Sequence, residues 1–203
     1  PNVDGIFIPS PIGTMMQNGD FNRVPITAGV TANEGSLFVR MMEISSQAEL
    51  ENTLLEWSPF WGIADTERLL SLYHSDDYAD AQEAFDLFYG DLGFVCPTKY
   101  FLDSASAYVD TRAYVHSHVP SWNDFYGLTG WGAYHSSELG FVFGTYLDGM
   151  TAAEQALSTY MRSAWTSTAR HSATVEGVGD WPLYASESDA GGSWIDWRAT
   201  PET

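Results

Sequence analysis

The strongest constraint on this chain is the placement of its two strand-like segments. Val24 to Val30 and Thr111 to Val119 are rich in β-branched and aromatic residues, and Pro120 closes the second, as expected of a strand leading into a loop. Between them Leu50, Leu54, Leu55, Leu69, Leu70, Leu72, Tyr73, Phe85, Leu87 and Phe88 recur at helical spacings among acidic residues. The stretch from Ser45 to about Asp110 therefore predicts three or four amphipathic helices. Asp65, Asp76 and Asp77 stand at helix starts, where a carboxylate accepts orphan backbone N–H bonds. Strands separated by helices make an α/β architecture. The strands are too few to build a covered parallel sheet, so something further is expected to complete it.

The remaining segments fit one domain. Ile6 to Ile8, punctuated by Pro, Gly and Asn, reads as strand and loop. Thr151 opens the clearest helix: with Glu154 it forms a capping box, and Ala156, Leu157, Tyr160, Met161, Ala164 and Trp165 continue at helical spacing toward His171. Ser121 to Ala133 reads as a loop rich in Gly and Trp, and the sequence after Gly177 as an irregular tail. The regions run 1–44 (strand and loop), 45–110 (helices), 111–150 (strand and second loop) and 151–203 (helix and tail).

Composition removes several partner classes. Eight Lys and Arg against 27 Asp and Glu give a formal charge of −19, which repels nucleic acid and anionic membrane surfaces. No apolar run approaches the roughly 20 residues that span a bilayer. No short Gly-containing loop places carboxylates at alternate positions for calcium, and the acidity reads as solvated surface. A single cysteine, Cys96, permits neither an internal disulfide nor a cysteine-built zinc site. His116 and His118 alternate along a strand but lack a third ligand nearby, and His74 and His171 read as surface residues, so no metal or cofactor is expected. The chain starts at Pro1 without a targeting segment, which points to a processed or cut polypeptide.

Two segments each place an ionisable residue beside small residues at the end of a predicted strand, where α/β proteins collect functional groups: Gly29 to Phe38, with Glu34, and Tyr134 to Gly144, with His135. Taken singly, such a glutamate is most often a surface turn residue and such a histidine a structural one. Together they fit an acid that orients a histidine base, the arrangement that activates a hydroxyl nucleophile. The nucleophile is missing: no Gly-x-Ser-x-Gly occurs in the 203 residues.

The segment comprising Val3-Asp4-Gly5, Asn18-Gly19-Asp20-Phe21, Val24-Pro25-Ile26 and Asn33-Glu34-Gly35-Ser36-Leu37-Phe38 resembles the acid-bearing region of type-B carboxylesterases and lipases, the α/β-hydrolase group that includes cholinesterases and fungal lipases. His135-Ser136-Ser137-Glu138-Leu139-Gly140-Phe141-Val142-Phe143-Gly144 is similar to their histidine motif. Gly90-Asp91 with Phe94-Val95-Cys96-Pro97 matches between the two, and Trp181-Pro182-Leu183-Tyr184 resembles the motif near the family's C-terminus. The four matches stand in family order. The resemblance implies the C-terminal part of an α/β-hydrolase fold: a central, mostly parallel sheet with helices on both faces, completed by a second chain or N-terminal segment. It implies a Ser-Glu-His triad with Glu34 as orienting acid and His135 as general base, and no metal.

The same resemblance puts the serine and the oxyanion hole on a companion chain, held through an obligate apolar interface. Leu37 and Phe38 would line the substrate gorge, and Glu138 and Asn33 would support the pair. Cholinesterases carry an aromatic residue at the position of Leu37; leucine offers no ring face to a quaternary ammonium, so a neutral ester is the better expectation. Packing in the core is the competing reading of Leu37 and Phe38. Trp57, Phe60 and Trp61, and also Trp122, Phe125, Tyr126 and Trp131, read as core clusters before they read as lipid-facing ones. Cys96 matches a bridged cysteine of cholinesterases, so here it is either a buried thiol or paired to another chain. An extracellular location is implied by the family, and no Asn-x-Ser/Thr sequon accompanies it. A non-catalytic, cholinesterase-like adhesion module is the rival class.

Overall fold

The computed structural model describes residues 2–145, 149–170, 174–175, 179–185 and 193–199. The first apolar piece makes no strand. Asp4 Oδ1 accepts the backbone N–H groups of Ile6, Phe7 and Ile8 at 2.8, 2.7 and 3.0 Å, which curls the segment into a bend. A helix that the sequence pattern did not announce follows, α1 (Ile12–Asn18), closed by Gly19 at φ 73°. The chain then forms β1 (Ile26–Thr31) and the short α2 (Ser36–Val39).

The helical region is realised as α3 (Gln47–Trp57), α4 (Thr66–Leu72), α5 (Ala81–Gly90) and α6 (Cys96–Ser106), with a π-helical turn (Asp91–Val95) joining the last two. Ser46, Asp65 and Asp80 cap α3, α4 and α5 by accepting the N–H of the third residue along. Asp76 and Asp77 start no α-helix. They lie in a 3-10 turn (Ser75–Asp77) capped by His74, and the helix begins three residues later, at the better-placed Asp80.

Next come β2 (Thr111–His116), α7 (Trp122–Phe125), α8 (Leu139–Phe143) and α9 (Ala152–Ala169), the last opened by the predicted capping box of Thr151 and Glu154. A short antiparallel pair, β3 (Thr174–Val175) and β4 (Gly179–Asp180), precedes β5 (Trp194–Trp197). The tail is therefore not irregular throughout. Four residues are too few to show alternation, and β5 exists because it pairs with β2.

Among the described residues the main sheet is parallel and three-stranded, in the order β1-β2-β5. Ile26 pairs with Thr111 and Thr31 with His116, while Ala113 pairs with Trp194 and His116 with Trp197. Side chains alternate across the sheet, so Ala113 and Tyr114 face opposite layers. Leu102 of α6 packs with Ala28, Ala113, Tyr184 and Trp194 on one face. On the other, Phe141 of α8 and Leu157, Met161 and Ala164 of α9 meet Tyr114, Trp181, Ile195 and Trp197. Helices thus cover both faces, as an α/β fold of this kind requires. Gly29 is small because Tyr114 crosses it: a Cβ there would stand 2.4 Å from the ring.

The helices α2, α3 and α5 form a second core around Val39, Leu50, Leu54, Phe85 and Phe88. Its tie to the sheet is close. A Cβ on Gly35, just after β1, would fall 1.8 Å from the carbonyl oxygen of Asp86, so backbone meets backbone at this joint. Beside it Arg40 donates to Asp86 Oδ2 at 2.6 Å, and Gln82 donates to Asp86 Oδ1 at 2.7 Å and accepts the Ile44 N–H at 2.6 Å.

Glu154 is the polar hub of the opposite layer. Its oxygens accept from His118 Nε2 at 3.0 Å, from Ser121 N–H and Oγ at 2.7 and 2.6 Å, and from Thr151 N–H and Oγ1 at 2.8 and 3.0 Å. Burial works against ionisation there, and these donors more than offset it, holding the carboxyl down at about 2. Because the folded value lies below the unfolded 4.5, this stability is present in full above about pH 4.5 and is lost as pH falls toward 2. Glu154→Gln is expected to lower the unfolding free energy at neutral pH by about 1–3 kcal/mol, the cost of leaving buried donors without their acceptor, and to flatten its pH dependence below about 4.5, read by urea denaturation at several pH values.

Candidate active site

Glu34 sits three residues beyond the end of β1 and is 6% exposed. A carboxylate so buried needs a partner for each oxygen. Oε1 accepts the N–H of Thr31 at 2.6 Å, which bends the loop back on its own strand. Oε2 lies 2.6 Å from Nδ1 of His135, about a hundred residues along the chain.

What brings the two loops together is mostly backbone. Ala32 N–H donates to the carbonyl of His116 at the end of β2. Asn33 and Tyr134 form a parallel bridge, with Asn33 N–H donating to Ala133 O at 3.0 Å and Ala133 N–H returning to Asn33 Oδ1 at 3.0 Å. Ser36 Oγ reaches the carbonyls of Asn33 and Trp131, both at 2.8 Å. Gly132 has φ 66°, and a Cβ on it would stand 2.1 Å from Asn33 Oδ1, so only glycine permits this contact. Ser136, next to His135, is one of two non-glycine residues with positive φ among the described residues, at 70°. Such a conformation costs about 1–2 kcal/mol and persists where its surroundings dictate it.

The imidazole of His135 is flanked by Phe94 and Phe38, with ring centroids at 4.7 and 5.2 Å, and Phe38 also packs on Phe94 at 5.4 Å and on Tyr89 at 5.6 Å. The helical region therefore supplies one wall of the site. A hydrogen bond from Nδ1–H to Glu34 leaves Nε2 as the basic nitrogen, on a side chain that keeps 35% of its exposure. The arrangement can take a proton from a hydroxyl group and stabilise the resulting imidazolium by a buried carboxylate.

The other residues singled out from the sequence separate. Asn33 stands between the loops, and Phe38 touches the histidine ring. Leu37, on the same helix, is 39% exposed. Glu138 makes no hydrogen bond to the pair. Burial raises its carboxyl above the ordinary range, with the charge of Glu34 adding to the effect, and its Oε2 is buried without a partner. Trp57 packs against Phe85 at 5.3 Å, whereas Phe60 and Trp61 are exposed and line a cavity of about 370 Å³ with Glu56, Trp57 and Tyr89. Trp122 lies on Phe141 at 5.0 Å and Trp131 on Tyr134 at 6.0 Å, while Phe125 and Tyr126 are exposed. Cys96 is exposed, which removes the reading of a buried thiol.

His116 and His118 do not share a metal site, since His118 is bound to Glu154 and His116 is sealed in the core. Among the described residues no group of three His, Cys, Asp or Glu side chains is placed to hold a metal ion. His74 is half-buried, and His171 lies outside the described residues. Sequence reasoning missed a contact of Phe94 with His135 and the joining role of Ser36. Phe94 sits within a segment recognised by its motif, but the π-helical turn that aims it at the ring leaves no periodic signal.

A model of the family described as "Carboxylesterase family" matches residues 1–194. The chain is 30% identical to cocaine esterase of Homo sapiens over 203 residues, covering 91% of this chain and 36% of that protein. It is 28% identical to acylcarnitine hydrolase of Rattus norvegicus (89% and 35%) and 24% to acetylcholinesterase of Leptinotarsa decemlineata (92% and 32%). It thus spans about a third of the length of these relatives. A solved structure, PNB esterase, shares the fold with a TM-score of 0.74 at 24% identity, covering 98% of this chain and 39% of that one.

The geometry around Asn33 yields a measurable expectation. Asn33→Ala removes the acceptor for the Ala133 N–H and leaves that group unsatisfied, so it is expected to destabilise the fold by about 1–3 kcal/mol. Chemical denaturation reads the loss, and faster exchange of the Ala133 amide locates it.

Proposed function

The chain belongs to the carboxylesterase family, and on that premise we propose that it forms the acid- and base-bearing portion of a carboxylic ester hydrolase, a carboxylesterase or lipase. The observation that carries the reading is the 2.6 Å contact between Glu34 Oε2 and His135 Nδ1. In this reading Glu34 fixes the Nδ1–H tautomer, and Nε2 takes the proton of a serine hydroxyl as that oxygen attacks the ester carbonyl. The same proton then goes to the departing alkoxide. Water repeats the sequence on the acyl-enzyme: His135 takes its proton, the acyl group leaves as the acid, and the proton returns to serine.

The serine and the oxyanion donors belong, in this proposal, to a further segment or companion chain, because the sequence holds no Gly-x-Ser-x-Gly and spans about a third of its relatives' length. β1 pairs only with β2 among the described residues, so its outer edge suits a strand of that segment. Leu37 in place of a ring favours a neutral ester over a quaternary ammonium one. Glu138 is a buried neighbour of the pair in this reading, without a hydrogen bond to either member. No helix among the described residues is long and apolar enough to cross a membrane, and an extracellular site of action goes with the family reading.

In the complete protein, His135→Ala is expected to reduce turnover of a neutral 4-nitrophenyl ester by about a thousandfold or more. An organophosphate should label the segment carrying the serine and never residues 1–203. Undiminished turnover in the variant, or label on this chain, would sink the proposal.

A further inference from the structure

His116, at the end of β2, is 0% exposed, and neither of its ring nitrogens has a hydrogen-bond partner among the described residues. It stands in register with Thr31 of β1 and Trp197 of β5, so the three side chains share one face of the sheet. Thr31 Oγ1 and Trp197 Nε1 are buried without partners as well. Phe141 of α8 covers the imidazole, centroid to centroid at 5.2 Å. This chain's own atoms seal the nitrogens, so no additional segment can reach them unless the ring moves.

The backbone of the same residue holds the acid loop. His116 O accepts the Ala32 N–H at 2.9 Å. Ala32 lies between Thr31, whose N–H holds Glu34 Oε1, and Asn33, which carries the bridge to the histidine loop. A displacement of His116 is therefore transmitted to both members of the pair.

We propose that His116 is a positioning residue that makes the seat of Glu34 acid-labile: the neutral ring keeps β1, β2 and β5 closed beneath α8, and proton uptake from water drives the ring outward and frees the acid loop. The charged groups on the surrounding elements are engaged elsewhere. Glu34 beyond β1 is held by His135, Asp196 on β5 by Ser117 and Arg198, and Glu154 on α9 by His118. Glu138, before α8, has its own carboxyl raised by burial. Among the described residues nothing offers the His116 cation a counter-charge, and His118, its ring centroid 6.4 Å away, opposes it.

Burial lowers the imidazole from 6.5 to about 3, and His118 adds to the effect. The open form takes up the proton at the ordinary value. Opening is thus independent of pH above about 6.5 and becomes more favourable by about tenfold for each unit below it, down to about 3. This window begins two units above that of Glu154, so the two are separable.

The test uses the complete protein, with amide hydrogen exchange and activity followed from about pH 7 to about pH 4. The protection factor of the Ala32 amide is expected to fall about tenfold per unit below about 6.5, and His116→Phe to abolish that fall and move acid inactivation to lower pH. Protection that stays constant in the unmodified protein would overturn the inference, as would an inactivation curve for the variant that superimposes on the parent's. The activity arm rests on the proposed hydrolase reading, whereas the exchange arm stands without it, so failure of one is distinguishable from failure of the other.

Discussion

A carboxylate that retains 6% of its exposure must find a donor for each oxygen, and at Glu34 those donors come from places far apart in the chain. Thr31 supplies one from the end of β1, and His135 the other from a loop beyond β2. The register of β1 against β2 brings the ends of the two strands level. The bridge from Asn33 to Tyr134 extends that level past the strands, and Gly132 leaves room for it. A one-residue slip in the sheet would separate the pair.

The helical layers are fastened to this centre by polar joints. On one side Arg40, Gln82 and Asp86 tie the segment after α2 to α5, close to where Gly35 touches the Asp86 backbone. That joint sets the position of Phe38, and the π-helical turn sets that of Phe94, so the aromatic wall around His135 depends on helices that contribute no ionisable group to the site. On the other side Glu154 gathers His118, Ser121 and Thr151 and anchors α9 against the strand that ends in His116. Buried polar networks of this kind are costly when broken, because each remaining partner is left without solvent.

The sheet is also where this chain meets its relatives. A parallel strand covered by helices on both faces normally pairs on both edges when it is central, and β1 pairs on one among the described residues. Together with coverage of about a third of the matched proteins, this makes the acid and histidine loops one side of a larger catalytic surface in the function proposed for it. The charge of −19 lies outside that argument: it suits solvated surface and keeps nucleic acid away, while the site itself depends on two buried or half-buried groups.

The α/β class, the helix opened by Thr151 and Glu154, the caps at Asp65 and the pairing of Glu34 with His135 were all legible in the sequence. The first three rest on local chemistry, since a cap needs a side chain three positions from its N–H and a period needs only its own repeat, whereas the pairing was expected from the resemblance of two separate motifs to one family. Other features were decided by tertiary contact. β5 is a strand because β2 lies beside it, and α1 is met across the chain by Tyr100 and Tyr108, whose hydroxyls donate to the carbonyls of Gly13 and Gln17. Phe94 reaches His135 through a turn with no periodic signature. His116 read as half of an alternating histidine pair. Only packing showed that one histidine answers to a glutamate thirty-six residues away while the ring nitrogens of the other find no hydrogen-bond partner among the described residues, because hydrogen-bond satisfaction in a core is set by what lies across it and not by neighbours in the chain.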